Sequence, residues 1–315
     1  MATIQAPTID GNVAQEQYGR PHIGKQAREQ LLAVMPVTER RLELAGVSSA
    51  VLEGGSGPSI VLLHGPGEYA AKWMRVIPDL VTTHRVIAPD LPGHGTSEVA
   101  DGPLDADRVS AWLRELIDRT CSTPPVLVGQ ILGGAIAARF AIEHGNRLSR
   151  LVLVDAFGLA PFQPTPEFGL ALTEFLARPI EDTHDRLWQR CAFDLDGLRE
   201  RMGESWGWLK AYNLDRAGAT NLHAAQHSLM THFGMPAIPP AELEHITVPT
   251  SLIWGRHDLA TQLPVAKAAS VRFGWPLQVI ENAADDPPIE QPEAFLKALR
   301  LAMGDPRPAK RRRNS

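Results

Sequence analysis

The sequence predicts an α/β fold with a mostly parallel central sheet flanked by helices, on three observations. Short runs such as Ser59–His64, Leu151–Val154 and Thr250–Trp254 are apolar at nearly every position, as strands buried on both faces require. Stretches with helical spacing of apolar residues separate these runs. Several runs end directly in Gly- or Pro-rich turns. Strands alternating with helices in this way give parallel sheets covered on both sides.

In chain order, residues 24–35 (GKQAREQLLAVM) carry Ala27, Leu31, Leu32 and Met35 at helical spacing, and Pro36 stops the helix. RRLELAG and SSAVLEG read as an antiparallel pair of strands, and Gly54-Gly55-Ser56-Gly57 as a hairpin turn. That glycine run does not open a helix, so it is not a dinucleotide-binding loop. The Ser59–His64 strand comes next, then a helical stretch over Ala70–Leu80 and a strand over Arg85–Pro89. Asp105–Arg119 is a helix with Val109, Leu113 and Leu116 on one face. Val126–Val128 is a strand running into Gly129, and Ala135–His144 a helix of small residues able to pack closely on a sheet. Leu277–Ile280 is the last strand and Ala294–Met303 the last helix. The alternation breaks between about Leu159 and Pro240, where the sequence is helical, aromatic and interrupted by Pro and Gly. That stretch is too long for a structureless loop. It predicts a helical lid over the carboxyl ends of the strands, where open α/β sheets bind ligands. The expected organisation is an N-terminal extension with a short helix (1–39), a core (40–158 and 241–305), a lid (159–240) and a basic disordered tail (306–315).

Composition narrows the function classes. The chain has 315 residues and a formal net charge of −5, which gives no overall attraction to nucleic acid. The basic end PAKRRRNS reads as a solvated terminus. No apolar run reaches the roughly 18 residues of a membrane span, and the first residues lack the basic and apolar regions of a signal peptide. Cys121 and Cys191 are far apart without metal-ligand spacing, and read as reduced core thiols in a cytoplasmic protein. No cofactor or metal is called for, and a homodimer is compatible with the sequence.

Four landmarks carry the chemistry. They are His64-Gly65-Pro66-Gly67, Asp90-Leu91-Pro92-Gly93-His94-Gly95, Gly129-Gln130-Ile131-Leu132-Gly133-Gly134, and Trp254-Gly255-Arg256-His257-Asp258 followed by Asn282–Pro292. In this order the chain resembles the α/β-hydrolase superfamily over roughly residues 40–303, in its lid-bearing form that includes epoxide hydrolases, dehalogenases, esterases and C–C bond hydrolases. The resemblance implies a nucleophile elbow G-x-S-x-G, followed in the chain by an acid and a histidine. Here the elbow position is Ile131, and a hydrocarbon cannot attack a carbonyl, an epoxide or a carbon–halogen bond. The acid position is kept as Asp258. The position of the histidine, in the frame held by Pro287, Glu290 and Pro292, is Asp285, and Asp286 beside it supplies no histidine either. Of the oxyanion donors the resemblance implies, the Leu132 amide remains. Pro66 has no N–H, so Gly67 substitutes only if the loop is rearranged.

Asp258 and Asp285 are therefore the expected catalytic pair, facing each other where acid and histidine normally meet. Two such carboxyls cannot both ionise easily, and one kept protonated can serve as general acid or base. Alternatively Asp285 points to solvent, or pairs with an arginine such as Arg256. Ile131 shapes an apolar pocket floor, and Gln130 packs or hydrogen-bonds beneath the elbow. Glu68 either enters the pocket or is a solvated loop charge. His64 and His94 support turns, and His257 points away from Asp258. His223 and His227 share a helix face, but neither they nor His232 have a further acidic ligand at metal-site spacing. Phe157, Phe162, Trp188, Trp206, Trp208, Tyr212 and Phe233 suggest an apolar pocket wall. Three readings follow: a non-covalent enzyme on a small hydrophobic molecule using Asp258 and Asp285, an inactive homologue that binds a small ligand or a protein, and a hydrolase with a relocated group such as Glu68 or a lid histidine.

Overall fold

The computed structural model describes residues 21–100 and 102–304. The expectations for residues 1–20 and for the basic tail fall outside the described residues. The strands are β1 (Thr38–Leu44), β2 (Val47–Gly54), β3 (Ser59–Leu63), β4 (Arg85–Pro89), β5 (Glu98–Val99), β6 (Val126–Gln130), β7 (Arg150–Val154), β8 (Thr250–Gly255) and β9 (Leu277–Ile280). They form one sheet in the order β1-β2-β4-β3-β6-β7-β8-β9, with the two-residue β5 on the side of β2. β1, β2 and β4 pair antiparallel, and every pair from β4 through β3 to β9 is parallel.

Period-two alternation divides the apolar runs between the two faces. Val61 and Leu63, Leu127, Leu151 and Leu153, and Leu252 and Trp254 pack on one core. Ile60 and Leu62, Val126 and Val128, Val152 and Val154, and Ile253 pack on the other. Helix α1 (Pro21–Ala33) covers the second core with Ala27 and Leu31. Between β3 and β4 the predicted single helix over Ala70–Leu80 is a tight turn, Ala70–Arg75, and one helical turn, α2 (Ile77–Leu80). Pro78 cannot donate to a continuous helical ladder, which accounts for the break. Helices α3 (Ala106–Thr120) and α4 (Leu132–His144) cover the first core, and Asp105 caps α3 by accepting the Arg108 amide.

Five helices are inserted between β7 and β8: α5 (Pro166–Ala177), α6 (Glu181–Cys191), α7 (Leu195–Met202), α8 (Glu204–Ala217) and α9 (Thr220–Leu229). A wide helical turn, Met230–Gly234, and α10 (Pro240–Leu243) lead back to the sheet. Helices α11 (Leu263–Phe273), α12 (Pro287–Glu290) and α13 (Pro292–Met303) complete the chain.

Two local expectations are corrected. The run Gly54–Gly57 is not a hairpin turn, because β2 pairs with β1 and β4 while β3 pairs with β4 and β6. It is a crossing connection pressed on backbone: a Cβ on Gly55 would lie 2.2 Å from the His84 carbonyl oxygen. The first helix begins at Pro21 and ends at Ala33, so a short turn separates it from Pro36.

Candidate active site

The loops after β3, β6, β7, β8 and β9 meet the inserted helices around a cavity of about 350 Å³. Its walls are largely apolar and aromatic, with Phe157, Phe162, Phe168, Phe175, Leu187 and Trp188 among them. Trp206, Tyr212 and Phe233 are buried in the cores instead, and Trp208 packs against the second core.

The turn from β6 into α4 has the strained form of a nucleophile elbow. Ile131 sits at φ 50° and ψ −107°, a conformation that β-branched residues almost never adopt. Backbone bonds hold it there: the Ile131 amide donates to the Val154 carbonyl at 2.9 Å, and the Phe157 amide to the Ile131 carbonyl at 3.0 Å. The turn needs glycine on both sides. A Cβ on Gly129 would lie 2.3 Å from the Gly133 carbonyl oxygen, and one on Gly133 would lie 2.5 Å from that of Leu63. The strain thus presents an aliphatic side chain to the cavity floor. The Leu132 amide lies in the first helical turn, where N–H groups lack intrahelical acceptors.

The loop after β3 is organised around an ion cluster. Glu68 accepts the Gly65 amide at 2.8 Å and pairs with Lys72 at 3.0 Å. Lys72 is 4% exposed. It also donates to Asp286 and lies 4.5 Å from the centre of the Trp188 ring. Burial would depress the Lys72 pKa, but Asp286 and Glu68 outweigh it and hold it above the ordinary lysine range. Lys72 is therefore a permanent cation with its donors engaged. Glu68 is accordingly not a solvated loop charge, because its carboxylate is held between the Gly65 amide and Lys72. Gly67 lines the cavity against Gln226. Gln130 donates to the Asp285 carbonyl at 3.1 Å and to the Asp286 carboxylate at 3.2 Å, tying the elbow to the loop after β9.

The carboxyl cluster has three members. Asp258 Oδ1 accepts the amides of Ala260 and Thr261 at 2.7 and 2.8 Å, while Oδ2 is buried without a donor. Its direct neighbour is Asp155, at the end of β7, a residue the sequence analysis did not single out. Asp155 Oδ1 accepts the Gly255 amide at 2.8 Å, and its Oδ2 is likewise buried without a donor. The two buried carboxyls influence each other's ionisation. Burial and the Asp258 charge push Asp155 well above the usual carboxyl range. Burial lifts Asp258 to about 6 against the pull of its two amides. The expected facing pair of Asp258 and Asp285 does not form: no hydrogen bond joins them, and Asp258 acts on Asp285 through its charge. Asp285 lines the cavity at 7% exposure and does not point to solvent. Burial, then Asp258, Asp286 and Glu290, raise its pKa well above the ordinary value. Cys191 lines the same cavity while packing against the second core, and burial, then the Asp285 charge, push its thiol well above the usual range.

Arg256 reaches neither Asp258 nor Asp285; it is exposed and pairs with Glu281. His257 is exposed and stacks on Phe193 at 4.4 Å. His64 accepts the Leu91 amide and donates to the Gly65 carbonyl, His94 donates to the Pro92 carbonyl, and burial lowers both to about 3. His223, His227 and His232 are exposed, and no group of three or more metal-ligating side chains gathers for a metal ion among the described residues. The buried histidine at the cavity is His184, which donates to Asp185 and accepts from Asn213, both at 3.2 Å.

The model of the alpha/beta hydrolase family matches residues 60–298. The chain belongs to this family. It is 26% identical over 270 residues to a pimeloyl-(acyl-carrier protein) methyl ester esterase of Aeromonas hydrophila, covering 82% of this chain and all of that one. It is 29% identical over 215 residues to a 2-hydroxy-6-oxo-6-phenylhexa-2,4-dienoate hydrolase of Comamonas testosteroni, covering 65% of this chain and 73% of that one. The structure of a hydrolase of the latter name from Rhodococcus superposes with a TM-score of 0.74 at 23% identity, over 85% of this chain and 99% of the other. No helix among the described residues is long and apolar enough to cross a membrane.

Proposed function

We propose that this α/β-hydrolase-fold protein encloses a small, largely apolar molecule and exchanges a proton with it through Asp285, without covalent catalysis. The inserted helices, residues 159–240, serve as the lid. The observation that carries the reading is the Asp285 carboxyl: it stands where the resemblance implies a histidine, lines the cavity, and receives no N–H from the described residues. Burial favours its protonated form, and a carboxyl so placed can give a proton and, once ionised, take one back. Ile131 has no lone pair to form a covalent intermediate and serves as apolar floor. Burial raises the proton affinity of Asp285, and the Asp258 charge raises it further. Gly67 and Leu132 are the candidate amide donors to an oxygen of the bound molecule.

A second reading, a binding protein without turnover, is favoured by one observation: Glu68, Lys72, Asp286, His184 and Asn213 are all engaged within the protein. The same observation speaks against Glu68 as the relocated catalytic group of a hydrolase. The test is a panel of small apolar esters, ketones and epoxides followed by NMR with wild type and Asp285→Asn. Turnover that resists fluorophosphonate and is lost in Asp285→Asn is the expected result. Turnover abolished by fluorophosphonate, or unchanged in Asp285→Asn, overturns the proposal. Binding without turnover across the panel would favour the second reading.

A further inference from the structure

We infer that the cavity takes a small apolar molecule bearing one basic nitrogen, which pairs with the Asp285 carboxylate as an ammonium. This rests on the reading of Asp285 as the group that exchanges a proton with the ligand. The argument begins with charge. Among the described residues lining the cavity, three are acidic, Glu68, Asp285 and Asp286, and Lys72 is the single lysine or arginine. Lys72 is taken by Glu68, Asp286 and the face of Trp188, so it offers nothing to an anion. Behind Asp285 lie further carboxyls. Asp258 is buried, and Glu290 is buried and accepts the amides of Phe193 and Ala284. The cavity base thus holds no free cation to receive a carboxylate ligand, and ionising Asp285 among these carboxyls is favoured only when a cation comes with it.

The second strand of the argument is local. Asp285 is 7% exposed, and no N–H of the described residues reaches its carboxyl. The Cys191 thiol, which lines the same cavity, is a weak hydrogen-bonding group. A carboxyl left this way in an apolar chamber lacks a strong hydrogen-bond partner, and an ammonium is the ligand group that would satisfy it most strongly. The aromatic walls add cation–π attraction at no cost in charged protein groups. The step balances without a co-reactant. The molecule enters as the neutral amine, the proton on the Asp285 carboxyl moves to the nitrogen lone pair, and the O–H bond lost is replaced by an N–H bond. A carboxylate–ammonium pair remains.

The test uses three ligands of one shape, 4-phenylbutylamine, 4-phenylbutanol and 4-phenylbutyrate, titrated calorimetrically into the full chain. The amine is expected to bind at least about tenfold tighter than the alcohol, and the butyrate weakest of the three. In Asp285→Asn the amine should fall to the level of the alcohol, while the alcohol is little changed. Alcohol or butyrate binding as tightly as the amine overturns the inference and leaves the apolar cavity reading standing. Failure of all three to bind overturns both. Should Asp285→Asn not fold, the wild-type ranking decides alone.

Discussion

Between Gly129 and Gly134 the chain keeps a strained backbone and mounts on it a side chain that can do no chemistry. Around Asp155, Asp258 and Asp285 it keeps titratable side chains and crowds them until they cannot all ionise. The elbow's form depends on glycines pressed against backbone and on amide bonds that do not involve the residue at its tip. A nucleophile can therefore be lost there without loss of the turn. The carboxyl cluster has no such indifference, because burial and the neighbouring groups together shift each member's proton affinity. Scaffold geometry and chemical capacity are thus separable in this fold.

The largest expected effect lies on the charged side. Lys72→Met leaves Asp286 and Glu68 without their shared cation and should cost about 3–5 kcal/mol in urea unfolding at neutral pH; a loss under 1 kcal/mol would mean the ion cluster does not organise the cavity. On the elbow side, Gly133→Ala drives a Cβ into the backbone of β3 and should cost about 3 kcal/mol, measured the same way. A neutral result there would mean the turn does not need its close packing.

Asp258→Asn sharpens the comparison through pH. Asp258 has a folded pKa of about 6 against an unbound value of 3.8, so the native state binds the extra proton. Its contribution to stability is full below about pH 4 and is lost as pH rises through about 6. Wild-type stability should fall across that window. Asp258→Asn should flatten the fall, since an amide can still accept from Ala260 and Thr261 and donate to Asp155. An unchanged slope would remove Asp258 from the coupled cluster. The smallest effect is expected outside both regions: Arg256→Ala breaks only the exposed pair with Glu281 and should leave melting and ligand binding unchanged.

Much of this was legible in the sequence. Continuous apolar runs located the buried strands, and the pattern change near Leu159 marked the inserted helices, because periodicity reports which faces are covered. Ile131, Asp258 and Asp285 could be placed because glycines and prolines fix the frame around them. Lys72 could not, since in AAKWMR it reads as an ordinary solvated helix charge, and only the fold brings Asp286 to it from 214 residues away. Asp155 carried a signal that was passed over: an acidic residue directly at the carboxyl end of a buried strand, where α/β sheets build their sites. Gly54–Gly57 misled because glycine content reports a turn but not which strands it joins.

The central claim, that the fold keeps a hydrolase site from which covalent chemistry is gone, is tested most directly by intact-mass spectrometry after fluorophosphonate treatment. Wild type should show no adduct, and neither should Ile131→Ser alone, for want of a base. The double variant Ile131→Ser with Asp285→His should gain one adduct, because Asp258 Oδ2 is free to orient the new imidazole. An adduct on a serine of the wild-type protein would contradict the account.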